Sequence, residues 1–175
     1  MKSKAIHDTK SKLRACVCAA AVPLLLVAMV PACSSSDAST SAGGCVTATA
    51  TNVPADVIVV GSISRNALAA AYNTPYKEGG PATITAPAEG ATISRGSPPT
   101  ISWTAPAGSG WLYGLSLTKG VSIYTRETSY TLSASAWDKL KGDSALSIGL
   151  FVSRMENDCV VEGPYLTRGG GTLVP

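Results

Sequence analysis

The sequence predicts an all-β chain, an antiparallel β-sandwich that follows an export signal. Three observations favour this fold class. Of the 175 residues, 45% are hydrophobic and 14% are charged, and 17 Gly and 11 Pro suit a β-rich exported domain better than a helical bundle. From residue 82 onward, short stretches of alternating apolar and polar residues recur between turn signals. Before them, a basic and then apolar leader has the pattern of a secretory signal.

The leader occupies residues 1–32. Its apolar part, residues 16–30 (CVCAAAVPLLLVAMV), is shorter than the ~20 residues of a membrane-spanning helix, so it indicates a signal peptide. Five basic residues and one acidic residue give the leader a net charge of +4, whereas nine basic and ten acidic residues give the rest of the chain −1. The exported part therefore lacks the basic surface that nucleic-acid binding needs, and no nucleic-acid partner is expected.

The end of the leader resembles a bacterial lipobox. Residues 30–33 (VPAC) place an apolar residue, a proline, a small residue and then Cys33 before three serines, and only Pro31 departs from the usual pattern. The resemblance implies a bacterial lipoprotein lipidated at Cys33 and held at a membrane by acyl chains, each buried CH₂ contributing about 0.8 kcal/mol. Ser34, where an aspartate would signal retention in the inner membrane, implies the outer membrane of the cell envelope. The alternative is ordinary cleavage that releases a soluble secreted protein.

Two segments follow the leader. Residues 33–44 predict a lipid-anchored flexible tether, because Ser, Ala and Gly dominate them. Residues 45–81 predict a short N-terminal extension of mixed α/β character that packs on the sandwich. Within it, residues 57–60 (VIVV) indicate a short buried strand, and residues 65–72 (RNALAAAY) predict two helical turns with Ser64 as the N-cap.

Residues 82–168 carry the predicted sandwich. Strands are expected where apolar and polar side chains alternate, at residues 83–85, 91–94, 99–104, 111–117, 130–132, 146–152 and 159–167. Pro164 cannot donate a ladder hydrogen bond and places the last strand at a sheet edge. Three consecutive glycines then predict a flexible C-terminal tail at residues 169–175.

Two stretches of this region resemble bacterial immunoglobulin-like or fibronectin type III-like domains. Residues 84–117 (ITAPAEGATISRGSPPTISWTAPAGSGWLYGLSL) run from a turn glycine through a proline-preceded strand ending in Ser-Trp to an aromatic-rich strand. Residues 128–152 (TSYTLSASAWDKLKGDSALSIGLFV) lead through a short helical turn into a long strand. The resemblance covers residues 82–167 and implies a binding, adhesion or structural module. The corner tyrosine of these domains is replaced by Ala145 or Leu146.

Two cysteines, Cys45 and Cys159, remain after the leader is removed and Cys33 is lipidated. In an exported chain they predict one disulfide bond, with two free thiols as the alternative. The resemblance supports the pairing, because the N-terminus and the last hairpin lie at the same pole of such sandwiches.

The sequence offers few groups for catalysis. The only histidine, His7, lies in the leader, which excludes Ser-His and Cys-His pairs and histidine-ligated metals from the mature chain. We therefore expect no enzyme, no cofactor and no metal, with a Ser-Lys or two-carboxylate hydrolase as the catalytic alternative. Glu156, Asn157 and Asp158 carry the oxygen ligands of a Ca²⁺ site, but a tight hairpin turn is the favoured interpretation.

Two tyrosines without an assigned packing partner, Tyr76 and Tyr124, are the candidate ligand contacts. Together they could form a platform for a sugar or a peptide. The sequence thus predicts a non-catalytic, lipid-anchored envelope protein that acts as a binding, adhesion or structural module for a protein or polysaccharide partner. The non-catalytic alternative is a carbohydrate-binding accessory lipoprotein.

Overall fold

The structure is a computed structural model that describes residues 53–175, together with the backbone of two short strands before them, β1 (Thr40–Ser41) and β2 (Cys45–Val46). The predicted signal peptide, the lipid attachment at Cys33 and most of the tether lie outside the described residues. The described residues belong to one compact unit, Ser36–Pro175. In this part of the chain, no helix has both the length and the apolar character that crossing a membrane requires.

Nearly half of the described chain is β-strand, and apart from the short β1–β2 pair these strands form two open sheets. The smaller, antiparallel sheet contains β5 (Ile84–Ala86), β7 (Thr100–Trp103) and β10 (Ser129–Thr131) in the spatial order β10-β7-β5. The larger sheet contains β3 (Ile58–Val59), β4 (Lys77–Glu78), β6 (Ala91–Ser94), β8 (Trp111–Leu117), β9 (Ser122–Thr125), β11 (Ala145–Glu156) and β12 (Cys159–Val174). Its spatial order is β3-β9-β8-β11-β12-β4, and β6 also pairs with β12. The all-β prediction is confirmed at this level.

The two sheets share one hydrophobic core. Its side chains come from both sheets and from helix α2 (Ala134–Leu140), and they include Ile101, Trp103, Trp111, Tyr113, Leu115, Leu117, Ile123, Trp137, Leu140, Leu146, Ile148, Leu150 and Val152. Alternation along β8 and β11 turns every second side chain inward, as the sequence pattern predicts. The rings of Trp103 and Tyr113 meet across the core with centroids 5.4 Å apart. The indole N–H of Trp137 donates to the Arg95 carbonyl at 3.1 Å, so its polar atom is satisfied inside the core.

The N-terminal extension crosses the outer face of the larger sheet. Its helix, α1 (Arg65–Asn73), begins after Ser64, whose hydroxyl accepts the Ala67 N–H at 3.0 Å, as the sequence predicts. The buried face of α1 is mostly alanine, which lets the helix lie close to the strands beneath. It forms a second cluster made of Ala67, Leu68, Ala70, Ala71, Leu112, Tyr124, Met155 and Val160. Before α1, β3 pairs in parallel with β9, and after it β4 pairs in parallel with β12.

The predicted flexible tail at residues 169–175 is wrong. β12 runs almost to the C-terminus and pairs there with β11 on one side and β6 on the other. Glycine is required for this close approach. A Cβ at Gly170 would overlap the carbonyl oxygen of Leu146, and a Cβ at Gly171 would overlap that of Ala91. The glycines that indicate a mobile tail in the sequence instead let a strand fit between two near neighbours.

The predicted sheet-edge position of the last strand is also wrong, because β4 and β6 both pair with β12 on the side away from β11. Pro164 lies instead at an irregularity, where the pairing of β11 with β12 shifts register between Val152 and Arg154. Gly163 precedes it with a φ of 84°. A bulge accommodates the missing N–H of proline, so the strand continues past it.

The hairpin between β11 and β12 is the tight turn that the sequence favours. Asn157 and Asp158 adopt φ values of 49° and 63°, and Glu156 pairs with Cys159 across the turn. Asparagine and aspartate tolerate this left-handed backbone better than most residues. Within residues 53–175, no group of three His, Cys, Asp or Glu side chains is placed to hold a metal ion.

The predicted disulfide involves a side chain outside the described residues. β2, which contains Cys45, lies against β12, which begins at Cys159. The Cys159 side chain is not a free thiol. Because the side chain of Cys45 is not described, its pairing with Cys159 stays a prediction.

Candidate functional site

A groove lies between the C-terminal end of α1, the chain leading into β4, and the outer faces of β8, β9 and β11. We call it the aromatic groove. It has a volume of about 280 Å³ and is lined by Ala71, Tyr72, Thr74, Tyr76, Gly114, Leu115, Ser116, Ser122, Tyr124 and Phe151. The two candidate contacts predicted from the sequence, Tyr76 and Tyr124, both line it. Residues 48 positions apart therefore meet because the extension folds back over the sheet.

The floor of the aromatic groove is built from a row of three residues on adjacent strands. Gly114 on β8 pairs with Tyr124 on β9 and with Phe151 on β11. Because Gly114 has no side chain, the ring of Tyr124 can lie directly over it. A Cβ added there would lie 2.9 Å from Cε1 of the Tyr124 ring, which shows how closely the ring covers the glycine. Glycine inside a strand often marks such a close approach.

A second row beside the first supplies hydroxyl groups. Ser116 on β8 pairs with Ser122 on β9 and with Gly149 on β11. Side chains two residues apart on a strand point to the same face, so the serines accompany Gly114 and Tyr124 on the outer face. The floor therefore presents aromatic surface and serine hydroxyls side by side.

The wall of the groove comes from the extension. Tyr72, in the last turn of α1, has 41% of its surface exposed, and Tyr76 is 50% exposed. The Tyr76 ring packs edge-on against Phe151, with centroids 5.5 Å apart and planes at 77°. Thr74 turns its hydroxyl back onto α1, donating to the Ala70 carbonyl at 2.7 Å. The wall is thus fixed to the floor through an aromatic contact and to the helix through a cap.

The described residues that line the groove carry no charged side chain. Burial, and then the neighbouring Tyr72, raise the pKa of Tyr124 to about 12, so its hydroxyl stays protonated well above neutral pH. At the rim, the Arg168 guanidinium interacts with the Tyr76 hydroxyl and pairs with Glu78 at 2.9 Å. The described lining of the groove is therefore neutral, and Arg168 beside Tyr76 already has a carboxylate partner.

Two other cavities are less suited to a specific ligand. One of about 400 Å³ lies beside β3 and is lined mainly by aliphatic residues such as Val57 and Ile63. Another of about 540 Å³ is wide open beside Arg95 and Lys141. Arg95 donates to the Asp143 carbonyl at 2.8 Å. Neither cavity brings aromatic rings and hydroxyls together.

Two of the lysines available to a Ser-Lys site are held in ion pairs. Lys119 pairs with Asp143 at 2.8 Å, and Lys141 pairs with Asp138 at 2.6 Å. Among the described residues, neither lysine hydrogen-bonds to a serine hydroxyl. The structure therefore does not bring a Ser-Lys pair together at these positions.

Sequence reasoning missed Gly114, Phe151 and Tyr72 as parts of the site. The sequence did indicate the first two. Gly114 and Phe151 occupy outward positions of β8 and β11, whose inward positions are apolar. Comparison with known protein families, with curated proteins and with solved structures finds no match to this chain. Its function is therefore argued from the aromatic groove and from the leader.

Proposed function

We propose that this chain is a lipid-anchored, non-catalytic binding module of the bacterial cell envelope, with an immunoglobulin-like or fibronectin type III-like sandwich that carries its ligand site. The observation that carries the proposal is the aromatic groove. It combines several aromatic rings and several hydroxyls in one recess, and its described lining residues carry no charge. Its volume lies near the lower end of the range for small-ligand sites, about 300–1,000 Å³.

The strand order supports the family assignment. If β6 is left out, the strands from β5 to β12 can be numbered one to seven in chain order. Strands one, two and five (β5, β7 and β10) form the smaller sheet, and strands three, four, six and seven (β8, β9, β11 and β12) belong to the larger one. Immunoglobulin-type sandwiches divide their strands in this way when the fourth strand joins the sheet of the third, sixth and seventh. The departures are the helix α1 on the outer face, the parallel strands β3 and β4, and the missing corner tyrosine.

The anchor rests on the sequence before the sandwich. Cys33 ends the apolar leader, and a Ser-rich stretch, the predicted tether, follows it. A flexible coil of about a dozen residues spans roughly 20 Å. The module would then sample the envelope close to one membrane, and the outer membrane is the destination that Ser34 implies. A bond between Cys45 and Cys159 would fasten the start of the unit to its last hairpin.

Co-sedimentation with washed bacterial envelopes tests the proposal. A fluorescently labelled protein that begins at Ser34 should bind saturably. Tyr76→Ala should weaken that binding at least tenfold, because it removes the exposed wall of the groove. Val161→Ala is the matched control, since Val161 is 41% exposed and does not line the groove. Equal sedimentation of the two variants, or no saturable binding at all, would contradict a groove-based binding function.

A further inference from the structure

The aromatic groove has the chemistry of one class of ligand, and this inference rests on the binding function proposed above. Its floor carries two aromatic side chains, Tyr124, whose ring lies over Gly114, and Phe151 on the far side of that glycine. Such a floor accepts a flat body whose faces are apolar, and a pyranose ring presents such C–H faces to aromatic side chains. The volume of about 280 Å³ suits one or two rings rather than a long polymer segment.

The hydroxyls of the groove match the edge of such a ring. Tyr72, Tyr76, Tyr124, Thr74, Ser116 and Ser122 each carry a hydroxyl. A hydroxyl both donates and accepts, as do the hydroxyls of a sugar, so pairs can form in either direction. A site lined by aliphatic side chains alone would leave those sugar hydroxyls without partners.

The charges around the groove select against acidic ligands. The described lining is neutral, and Arg168, which interacts with the Tyr76 hydroxyl, is paired with Glu78 at 2.9 Å. A phosphate, a uronic acid or an acidic peptide would enter a lining that offers it no cation, close to the Glu78 carboxylate. A neutral ligand avoids this cost.

The backbone around the groove selects against an extended peptide. Peptides commonly bind by adding a strand to an open sheet edge. Here the floor strands are inside the sheet: β8 lies between β9 and β11, and β11 lies between β8 and β12. Even β9 is covered beside the groove, because the Val60 N–H donates to the Tyr124 carbonyl at 2.8 Å. A ligand at this site must bind through side chains, as a sugar ring does.

We infer that the aromatic groove binds a neutral sugar ring of an envelope or extracellular glycan, which packs against the rings of Tyr76, Tyr124 and Phe151 and hydrogen-bonds to the hydroxyls around it. The extension supplies the wall through Tyr72 and Tyr76. Without the extension, the outer face of the larger sheet would be open at this point. The extension is therefore needed to form the aromatic groove.

Titration followed by ¹⁵N–¹H correlation spectra tests the inference. The ligands are the methyl glycosides of glucose, galactose, mannose and N-acetylglucosamine, with glucuronic acid and an uncharged tyrosine-containing tripeptide as comparisons. At least one methyl glycoside should saturably shift the amides of Gly114, Ser116 and Tyr124, with a Kd on the order of 1 mM, as expected for a ligand of this size. Glucuronic acid should bind at least tenfold more weakly.

Variants locate the interaction. Tyr76→Ala should weaken the glycoside at least tenfold, and Tyr124→Phe, which keeps the ring and removes the hydroxyl, should weaken it severalfold. Tyr130→Phe is the matched control, because Tyr130 packs against the core between the sheets. Native-like spectra of each variant show that it is folded. Equal affinities of Tyr124→Phe and Tyr130→Phe would overturn the hydroxyl contact.

The remaining outcomes separate this inference from the function on which it rests. Groove shifts with the tripeptide alone, or with glucuronic acid more tightly than with every neutral glycoside, would overturn the sugar class and keep the binding module. If no glycoside shifts the groove amides at 50 mM while Tyr76-dependent sedimentation with envelopes persists, the sugar class is again overturned and the binding module is kept. The loss of both results would overturn the inference and the proposed function together.

Discussion

Replacing Gly114 with alanine is the sharpest structural perturbation of the aromatic groove. The added Cβ would lie 2.9 Å from Cε1 and 3.1 Å from Cζ of Tyr124, so the ring has to move or the strands have to separate. Overpacking of this kind costs about 1–3 kcal/mol. Alanine loses less backbone entropy on folding than glycine does, which offsets roughly 0.5–1 kcal/mol of this cost. The free energy of unfolding should therefore fall by roughly 0.5–2 kcal/mol.

Urea unfolding followed by tryptophan fluorescence measures this change, because all three tryptophans are buried in the core. Gly142→Ala is the matched control: no atom lies within 4 Å of its added Cβ, and its φ is not positive. That variant should be unchanged or stabilised by up to about 1 kcal/mol. In the Gly114→Ala background, Tyr124→Leu should cost at least about 0.5 kcal/mol less than alone, since the clashing ring is absent. Equal stability of the two alanine variants and no coupling would refute the geometry of the floor.

Three further predictions concern the anchor, the bridge and the buried hydroxyl. Radiolabelled palmitate should enter the wild-type protein in a bacterial host and not Cys33→Ala; equal labelling would contradict the lipobox. Cys45→Ser should lower the free energy of unfolding by about 2–4 kcal/mol, and reductant should have no further effect on it, whereas two titratable thiols in unfolded, never-reduced protein would exclude the bond with Cys159. The pKa of Tyr124 is about 12 when folded against about 10 when unfolded, so its contribution to stability is present below pH 10 and is lost as the pH rises from 10 to 12. Tyr124→Phe should flatten that fall in urea titrations, and an identical pH profile in both proteins would count against a buried hydroxyl.

Local pattern predicted much of the sandwich. The alternation from Trp111 to Leu117 identifies the inward face of β8, and Ser64 marks the start of α1. It failed where the deciding partner is distant in sequence. In the sequence, Gly171 suggests a flexible tail, because its partner strand β6 is distant in the chain. Pro164 likewise suggests an edge strand, because the bulge in the pairing of β11 with β12 cannot be recognised from the sequence. Both errors come from judging a strand without its neighbours.

The candidate site was only half predictable for the same reason. Tyr76 and Tyr124 stand out as tyrosines without partners, yet no local pattern brings an extension across the sheet to join them. Phe151 and Gly114 are visible as outward residues in core strands, but their significance depends on the register that places them side by side. Register between distant strands is set by the whole sandwich, so the groove emerges only from the folded chain.

Ligand binding in the aromatic groove is the function proposed for this chain. Cross-saturation NMR tests it directly: washed envelope fragments are irradiated, and the loss of signal is read on the isotope-labelled protein that begins at Ser34. We expect losses concentrated at Tyr76, Gly114 and Phe151, with Tyr130 and Val161 unaffected. Losses centred on Val161 or on the smaller sheet, with the groove unaffected, would contradict it.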